Sequence, residues 1–512
     1  MRRLAALLAA AVACSHAATA PPGGGDLRTQ AFPPLVAAAD GPPVVAVPAP
    51  SHPTVALRLH FLAGSVDDPP GKEGLTALTA AVMAEGGTER LSSGELARAL
   101  YPMAAELEVV PDKETTVFSG RCPRADAGRC AALLADVVLR PRFDPGEFER
   151  LRRRALDALR KGLRAEDEEE LAKEALSGLL FAGHPYAHPT LGTVEGLGRL
   201  TLDDVRAQWR AVFVRSRLTV GAAGGYPADL PAALARELDA LPPGARRAPL
   251  PAPSGAGPRF LLVETPGAPA AISLGLRWDV RRGHPDFPAL VAATSALGEH
   301  RQGAAFRLFR ELRELRGLSY GAYAYPEHFV QSPGSALPAP HHARTYQAFT
   351  VWVRPVEQGH RLFALRTALR EVTRWARDGL DEAELARVKR FLAGHTLALD
   401  GSDARRLGQA LDDRFYGLSE PWLPAFRRRL AELTLDDVNG ALRRHVDPAR
   451  LQVAVATAGA AALAAEIRAG APSPITYPTP RPRAVTEADR EIAAFPLAGE
   501  VQVVRADALF ER

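Results

Sequence analysis

The sequence predicts an α+β protein built from two tandem homologous domains, each an antiparallel sheet with helices packed on one face. The hexapeptide Leu-Thr-Leu-Asp-Asp-Val begins at Leu200 and again at Leu433. A second similarity follows each copy at the same distance. Arg217-Leu218-Thr219-Val220 follows the first copy, and the similar Arg450-Leu451-Gln452-Val453 follows the second. Two landmarks that share one offset indicate an internal duplication. Strand-like runs mixed with long helical patterns in both halves indicate the α+β class.

Composition shifts divide the chain into six segments. A Pro/Gly-rich spacer separates the N-terminal segment from the first domain, and a Pro-rich linker separates the two domains. The predicted segments are a signal peptide (1–20), a flexible spacer (21–33), a first domain (34–244), a linker (245–258), a second domain (259–470) and a tail (471–512).

The first domain contains four strand-like runs and three helical patterns. The expected strands are 44–47, 55–63, 106–110 and 115–120, and the expected helices are 75–84, 93–100 and 145–163. Pro145 stands where proline is tolerated, in the first turn of a helix, so the dense Arg/Ala/Leu pattern that follows it predicts one long helix.

The second domain repeats this plan. Its expected strands are 260–264, 271–278, 318–325 and 349–354, and its expected helices are 288–297, 304–315, 357–378 and 381–399. The tail after Gly470 is Pro-rich and then weakly patterned, and we place it outside the second domain.

The bulk composition is that of an ordinary globular protein. The 512 residues are 47% hydrophobic and 24% charged, with 63 basic and 59 acidic side chains and a formal net charge of +4. No basic block with interleaved aromatic residues occurs, so nucleic acid is not an expected partner.

The N-terminus predicts export to the periplasm, or attachment to the outer membrane, in a Gram-negative-type bacterium. Arg2 and Arg3 precede the short apolar run Leu4–Ala13, which is typical of a signal peptide. Two processing routes are open. Ala11-Val12-Ala13-Cys14 resembles a lipobox that would leave a lipidated Cys14, a possible membrane anchor, whereas small residues after Cys14 would allow ordinary cleavage.

Export changes the interpretation of two cysteines. Cys122 and Cys130 are close in sequence, and in an oxidising compartment they are candidates for a local disulfide. The alternative is two free thiols. Two cysteines without a histidine at ligand spacing do not indicate zinc.

Arg313 and Tyr320 are the candidate functional pair. Gly317 is expected to end a helix, which places Arg313 near the helix C-terminus and Tyr320 on the following strand. A guanidinium and a phenol that converge could bind a peptide carbonyl or stabilise an oxyanion. The alternative is a surface arginine and a half-buried strand tyrosine. Gly317-Leu318-Ser319-Tyr320-Gly321 also matches the serine-hydrolase elbow, but helix-then-strand is the wrong order for that turn.

The segment Leu308–Tyr320 resembles the second-domain motif of the insulinase/pitrilysin-like (inverzincin) zinc metallopeptidases, the family of mitochondrial processing peptidase. The resemblance extends over about 40–465 and includes Gly64–Leu75, Gly87-Thr88 and His184-Pro185-Tyr186. It implies that Arg313 and Tyr320 contact substrate near the scissile bond and help to stabilise the transition state.

The chain departs from this family at the metal site. The family motif is H-x-x-E-H, whose two histidines lie one helical turn apart and hold zinc. The three corresponding positions here are Ala77, Ala80 and Ala81, and the more distant glutamate falls near Asp157 or Ala158. Alanine methyl groups cannot coordinate a metal ion. We therefore expect no metal in this chain.

The resemblance and the departure together imply a zinc-less Arg/Tyr subunit. Such a chain would supply Arg313 and Tyr320 to a metal-bearing partner of the same family, with zinc in the partner and a peptide as substrate, and would be inactive alone. The alternative is a non-catalytic scaffold or peptide-binding protein of the same fold.

Overall fold

The computed structural model describes residues 35–36 and 42–512, except 256, 268, 300–302, 304, 333 and 336. The predicted signal peptide and spacer, with Cys14, lie outside the described residues. Within the described ranges, no helix has the length and apolar character needed to cross a membrane.

In the described residues, the first domain contains six strands and eight α-helices. The strands are β1 (Leu35–Val36), β2 (Val44–Pro48), β3 (Thr54–Phe61), β4 (Glu106–Pro111), β5 (Thr116–Pro123) and β6 (Leu218–Gly224). The helices are α1 (Leu75–Glu85), α2 (Ser93–Leu100), α3 (Ala127–Leu139), α4 (Pro145–Asp157), α5 (Glu168–Leu180), α6 (Val194–Arg199), α7 (Leu202–Val212) and α8 (Leu230–Leu238).

The described part of the second domain likewise contains six strands and eight α-helices. The strands are β7 (Phe260–Glu264), β8 (Ala270–Trp278), β9 (Ser319–Tyr325), β10 (Gln347–Val356), β11 (Gln452–Thr457) and β12 (Val501–Arg505). The helices are α9 (Phe287–Gly298), α10 (Arg361–Asp378), α11 (Glu382–Leu399), α12 (Asp403–Phe415), α13 (Trp422–Glu432), α14 (Leu435–His445), α15 (Ala460–Ala469) and α16 (Arg483–Ala493).

Over the residues that the structure describes, each domain forms one six-stranded sheet, which confirms the α+β class and the two-domain plan. The strand orders are β1-β2-β6-β3-β5-β4 and β12-β7-β11-β8-β10-β9. The prediction of antiparallel sheets needs correction at one side of each, because β2 pairs with β6 in parallel, as β7 does with β11 and β12. These parallel partners are far apart in sequence, since a parallel pair needs a long crossover connection.

The repeated hexapeptide marks the same structural position in both domains. Thr201 caps α7 and Thr434 caps α14, and each accepts a hydrogen bond from the backbone N–H of an aspartate three residues later, at 3.2 and 3.1 Å. Asp204 and Asp437 reach back to the cap residue and complete a capping box. The repeated hexapeptide therefore has the same role in both domains, which is to start a helix.

The tail belongs to the second domain, which differs from the expectation for 471–512. Its strand β12 extends the second sheet, with Val501 opposite Phe260. The helix α16 contacts α10. The tail is ordered because Ile492 and Val501 are buried in the second-domain core.

Two predicted helices differ from the structure. The helix expected over 145–163 ends as α4 at Asp157, and a wider π-helical stretch, Ala158–Glu166, follows. It contains Gly162, which weakens regular α-helix. Where a helix is expected over 304–315, the described helical residues begin at Arg307, and Phe309–Glu314 is π-helical.

The helix α5 of the first domain packs on the second sheet, against β8 and β11. Leu171 and Leu176 of α5 share one buried apolar cluster with Ala454 and Ala456 of β11. The helices of the first domain and the second sheet thus share one core, in addition to the linker that connects the domains.

Candidate functional site

Arg313 and Tyr320 meet at the outer strand of the second sheet. Arg313 lies in the π-helical stretch and Tyr320 on β9, which is the last strand in its sheet. Gly317 reverses the chain between them with a φ of +66°, a conformation that favours glycine. The Leu318 N–H then donates to the Leu312 carbonyl at 2.7 Å, which closes the turn.

The contact between Arg313 and Tyr320 is direct. The Cζ atom of Arg313 lies 4.3 Å from the centroid of the Tyr320 ring and 5.0 Å from that of Phe309. Its Nη1 also donates to the Tyr320 carbonyl oxygen at 3.3 Å. The two ring contacts are cation–π interactions, and together with the hydrogen bond they hold the guanidinium beside the phenol.

Arg313 differs from the other arginines of its segment. Those neighbours pair with carboxylates, whereas Arg313 has no carboxylate partner among the residues that the structure describes. The neighbouring pairs are Arg307 with Glu384, Arg310 with Glu311, and Arg316 with Glu311 and Asp489. Tyr320 is 66% exposed. The pair therefore presents an uncompensated positive charge and a phenol together.

Arg316 fixes this segment to the rest of the domain. Its side chain is fully buried and donates to Asp489 of α16 and to Glu311, both at 2.8 Å. Burial would raise the pKa of Glu311, but hydrogen bonds and charge from Arg316 hold it below the ordinary value. The turn that carries Arg313 is thus anchored by a buried ion-pair network.

The alanines at the degenerate metal positions lie on α1. Ala80 is completely buried, Ala77 is 8% exposed and Ala81 is half-buried. The helix α4, which contacts α1, ends at the exposed Asp157, whose carboxylate pairs with Lys161 at 3.0 Å. The degenerate positions on α1 thus lie on a helix that contacts α4. Three methyl groups do not fit a zinc ion, however, because none offers a donor atom.

Two other groups of metal-ligand side chains occur in the described part of the chain. In one, ligand atoms of Asp112, His328 and His342 lie within 4.8 Å of one another. Arg344 donates to Asp112 at 2.7 Å and its Nη2 lies 2.8 Å from His328 Nε2, so a cation already uses these atoms. In the other group, His284, Asp286 and His445, the Asp286 carboxylate is bound by Arg444 and by His445, each at 2.7 Å. We interpret both as structural clusters.

Sequence reasoning missed Glu114 as a junction of the fold. Its carboxylate accepts hydrogen bonds from Tyr186 of the first domain, Arg247 of the linker and the Thr345 N–H of the second domain. The side chain is almost fully buried. No local pattern marks it, since its partners are distant in sequence.

Cys122 and Cys130 are free, buried thiols in the structure. Cys122 lies on β5 and Cys130 on α3, and a hydrogen bond from the Cys130 thiol lowers the pKa of Cys122. The same bond raises the pKa of Cys130. The disulfide stays a prediction.

Two family models match the chain. The model described as insulinase (peptidase family M16) matches residues 43–194, and the model described as peptidase M16 inactive domain matches 199–392. An uncharacterized zinc protease of Mycobacterium bovis is 29% identical over 376 residues, which cover 72% of this chain and 80% of that protein. The non-peptidase homolog YmxG of Helicobacter pylori is 23% identical over 403 residues, 78% of this chain and 88% of that protein.

A solved structure is similar across most of the chain. The crystal structure of a peptidase M16 inactive domain from Pseudomonas fluorescens superimposes with a TM-score of 0.72 at 26% identity, over 82% of this chain and 96% of that one. Both halves of the chain are thus accounted for, in the order that the sequence predicts. The chain belongs to the insulinase family of peptidases, family M16.

Proposed function

We propose that this protein is the metal-free subunit of a two-chain peptidase, and that Arg313 and Tyr320 complete the active site of a metal-bearing partner of the same family. The observation that carries the proposal is the exposed Arg313–Tyr320 contact, in which Arg313 alone in its segment has no described carboxylate partner. In this proposal the partner chain binds the metal, expected to be zinc, because the corresponding positions here are Ala77, Ala80 and Ala81.

The chemistry of this pair suits a developing negative charge. Arginine carries five N–H donors, and among the described contacts only one polar bond, to the Tyr320 carbonyl, is made by Arg313. The remaining donors and the Tyr320 hydroxyl can bind a peptide carbonyl and the oxyanion that it becomes. Removal of one such donor from an oxyanion site costs about 10²–10³ in kcat.

Co-expression with a metal-bearing family member tests the proposal. Cleavage of a fluorogenic peptide by the purified pair is measured with the wild-type chain, Arg313→Ala and Tyr320→Phe. We expect kcat to fall at least tenfold in each variant with the complex still formed. Arg310→Gln is the matched control, because Arg310 lies on the same turn but pairs with Glu311. Equal activity of Arg313→Ala and Arg310→Gln would exclude the role.

A non-catalytic scaffold or peptide-binding protein of the same fold is the second candidate. It is favoured by the name of the Helicobacter pylori relative, a non-peptidase homolog. A scaffold would form its complex normally, and Arg313→Ala and Tyr320→Phe would leave every activity of that complex unchanged.

Export is part of the proposal, with the lipobox-like Ala11–Cys14 as the alternative to ordinary cleavage. Membrane fractionation of the native protein and of Cys14→Ser distinguishes them. Loss of membrane association in Cys14→Ser supports a lipid anchor, whereas a soluble periplasmic wild-type protein supports cleavage after Cys14.

A further inference from the structure

A second candidate binding site lies between the two domains, and neither Arg313 nor Tyr320 lines it. It is a cavity of about 1180 Å³ whose walls come from β3, the start of β6, the linker and α12. Both domains contribute to it. Its size is that of a ligand-binding pocket rather than of a packing defect.

The lining of this cavity is strongly cationic. It includes six arginines but only two carboxylates, Glu114 and Asp239. The six arginines are Arg215, Arg217, Arg246, Arg247, Arg281 and Arg414. Local pairing therefore cannot neutralise all of the positive charge.

Three of the six arginines are already paired. Arg215 binds Asp239 at 2.5 Å, Arg217 binds the buried Asp67 at 2.7 Å, and Arg247 binds Glu114. These ion pairs consume both lining carboxylates. They hold the walls of the cavity in place and leave no acid for the other three cations.

The other three arginines have no carboxylate partner within the part of the chain that the structure describes. Arg281 donates to the Thr345 carbonyl at 3.4 Å, and Arg414 donates to Thr219 Oγ1 at 3.3 Å. Arg246 lies in the linker and is exposed. Burial, and then the charge of Arg246, lower the pKa of Arg414, so Arg246 and Arg414 are close enough to repel.

A buried histidine in the same wall has one ring nitrogen without a hydrogen bond. His60 is 3% exposed, and its Nε2 atom has no hydrogen-bond partner among the residues that the structure describes. Unsatisfied buried polar atoms are rare in folded proteins and often mark a site for a ligand or water. His60 thus adds a polar group to the wall of the cavity, beside the arginines.

We infer that this interdomain cavity binds a peptide segment that carries carboxylate groups, through Arg246, Arg281 and Arg414. Guanidinium groups bind carboxylates with paired, charge-assisted hydrogen bonds. The same wall includes the apolar side chains of Leu62, Leu250 and Phe415. An acidic segment with interspersed apolar residues matches this mixed lining, whereas a bare inorganic anion would leave the apolar part unmatched.

The inference does not rest on the partner role proposed for Arg313 and Tyr320, and binding is measured on the chain alone. The probe is a fluorescein-labelled decapeptide of alternating Leu and Glu, and its control is the Leu and Lys equivalent. Fluorescence anisotropy gives the affinity at low and moderate salt. We expect the acidic peptide to bind at least tenfold more tightly than the basic one, with an affinity that falls as salt rises.

Substitution identifies the site. Arg246→Gln, Arg281→Gln and Arg414→Gln are each expected to weaken binding by roughly tenfold, the loss of one charge-assisted contact. Arg90→Gln is the matched control, because Arg90 is exposed and has no carboxylate partner among the described ion pairs. Arg246 and Arg281 are exposed, so their variants are expected to fold, and circular dichroism verifies this.

Three results would overturn the inference. Equal binding of the acidic and basic peptides would remove the charge preference. Unchanged affinity in all three cavity variants relative to Arg90→Gln would place the peptide elsewhere. Binding of sodium triphosphate that depends on these arginines, with no binding of the acidic peptide, would assign the cavity to an inorganic polyanion.

Discussion

Arg344 of the second domain donates to Asp112 of the first domain through two hydrogen bonds, from Nη2 to Oδ1 at 2.7 Å and from Nε to Oδ2 at 3.3 Å. Both side chains are buried. Burial would raise the pKa of Asp112, yet Arg344 and the nearby histidines hold it well below the ordinary value. This pair and α5 are two of the connections that fix one domain on the other.

Removal of Arg344 is therefore expected to weaken the domain interface. Arg344→Met should lower the free energy of unfolding by about 3–5 kcal/mol, because it leaves the Asp112 carboxylate buried without its cation. Urea denaturation measures the effect, with the exposed Arg483→Met as control. The double variant Arg344→Met/Asp112→Leu should recover part of the loss. A double variant no more stable than Arg344→Met would contradict this account.

Acid is expected to destabilise the protein through His60. Burial lowers the pKa of His60 to about 4, below the ordinary 6.5, so the unfolded chain takes up a proton more readily than the folded one. This contribution to stability is complete above pH 6.5 and is lost as the pH falls towards 4. It amounts to about 3 kcal/mol between pH 7 and pH 4.

The His60 prediction is measured by urea denaturation across this pH range. His60→Leu should show a shallower pH dependence than the wild type, whereas substitution of the exposed His52 by Asn should leave it unchanged. Identical pH profiles for wild type and His60→Leu would show that other groups, such as His328 and His341, carry the acid sensitivity.

Arg313 and Arg316 are expected to behave in opposite ways although they are three residues apart. Arg313→Ala should change the free energy of unfolding by less than about 0.5–1 kcal/mol, because its contacts are partly exposed. Arg316→Met should cost about 3–5 kcal/mol, because Glu311 and Asp489 lose their buried cation. Thermal denaturation compares the two. A strongly destabilised Arg313→Ala would make Arg313 a structural residue.

The purified chain is expected to contain zinc well below one equivalent by elemental analysis. Restoration of the motif by Ala77→His, Ala80→Glu and Ala81→His should destabilise the protein, because Ala80 is completely buried and a carboxylate there would be desolvated. Thermal denaturation of the triple variant with and without zinc measures this. Stoichiometric zinc in the wild-type chain would contradict the prediction directly.

The thiols of Cys122 and Cys130 are expected to oxidise to a disulfide in an oxidising compartment, since they are close enough for each to shift the pKa of the other. Intact-mass measurement with and without reductant detects the loss of two hydrogens. Cys122→Ser should abolish that difference. The same mass with and without reductant would establish the free-thiol state.

The sequence by itself determined the duplication, the α+β class and most helices and strands. Capping boxes at Thr201 and Thr434, the glycine turn at Gly317 and alternating apolar residues act over a few neighbours, so they can be detected without the fold. The motif spacing also placed Arg313 and Tyr320 close together, and the structure has them in contact.

Only the tertiary structure decided which charges are paired. Arg307, Arg310, Arg313 and Arg316 look alike in the sequence, and the lack of a described carboxylate beside Arg313 became visible only once Glu384 and Asp489 were in place. The tertiary structure also decided three other features, which are the parallel strand pairs, the packing of the tail and the cationic cavity. Each depends on contacts between residues far apart in the chain, for which local sequence carries no signal.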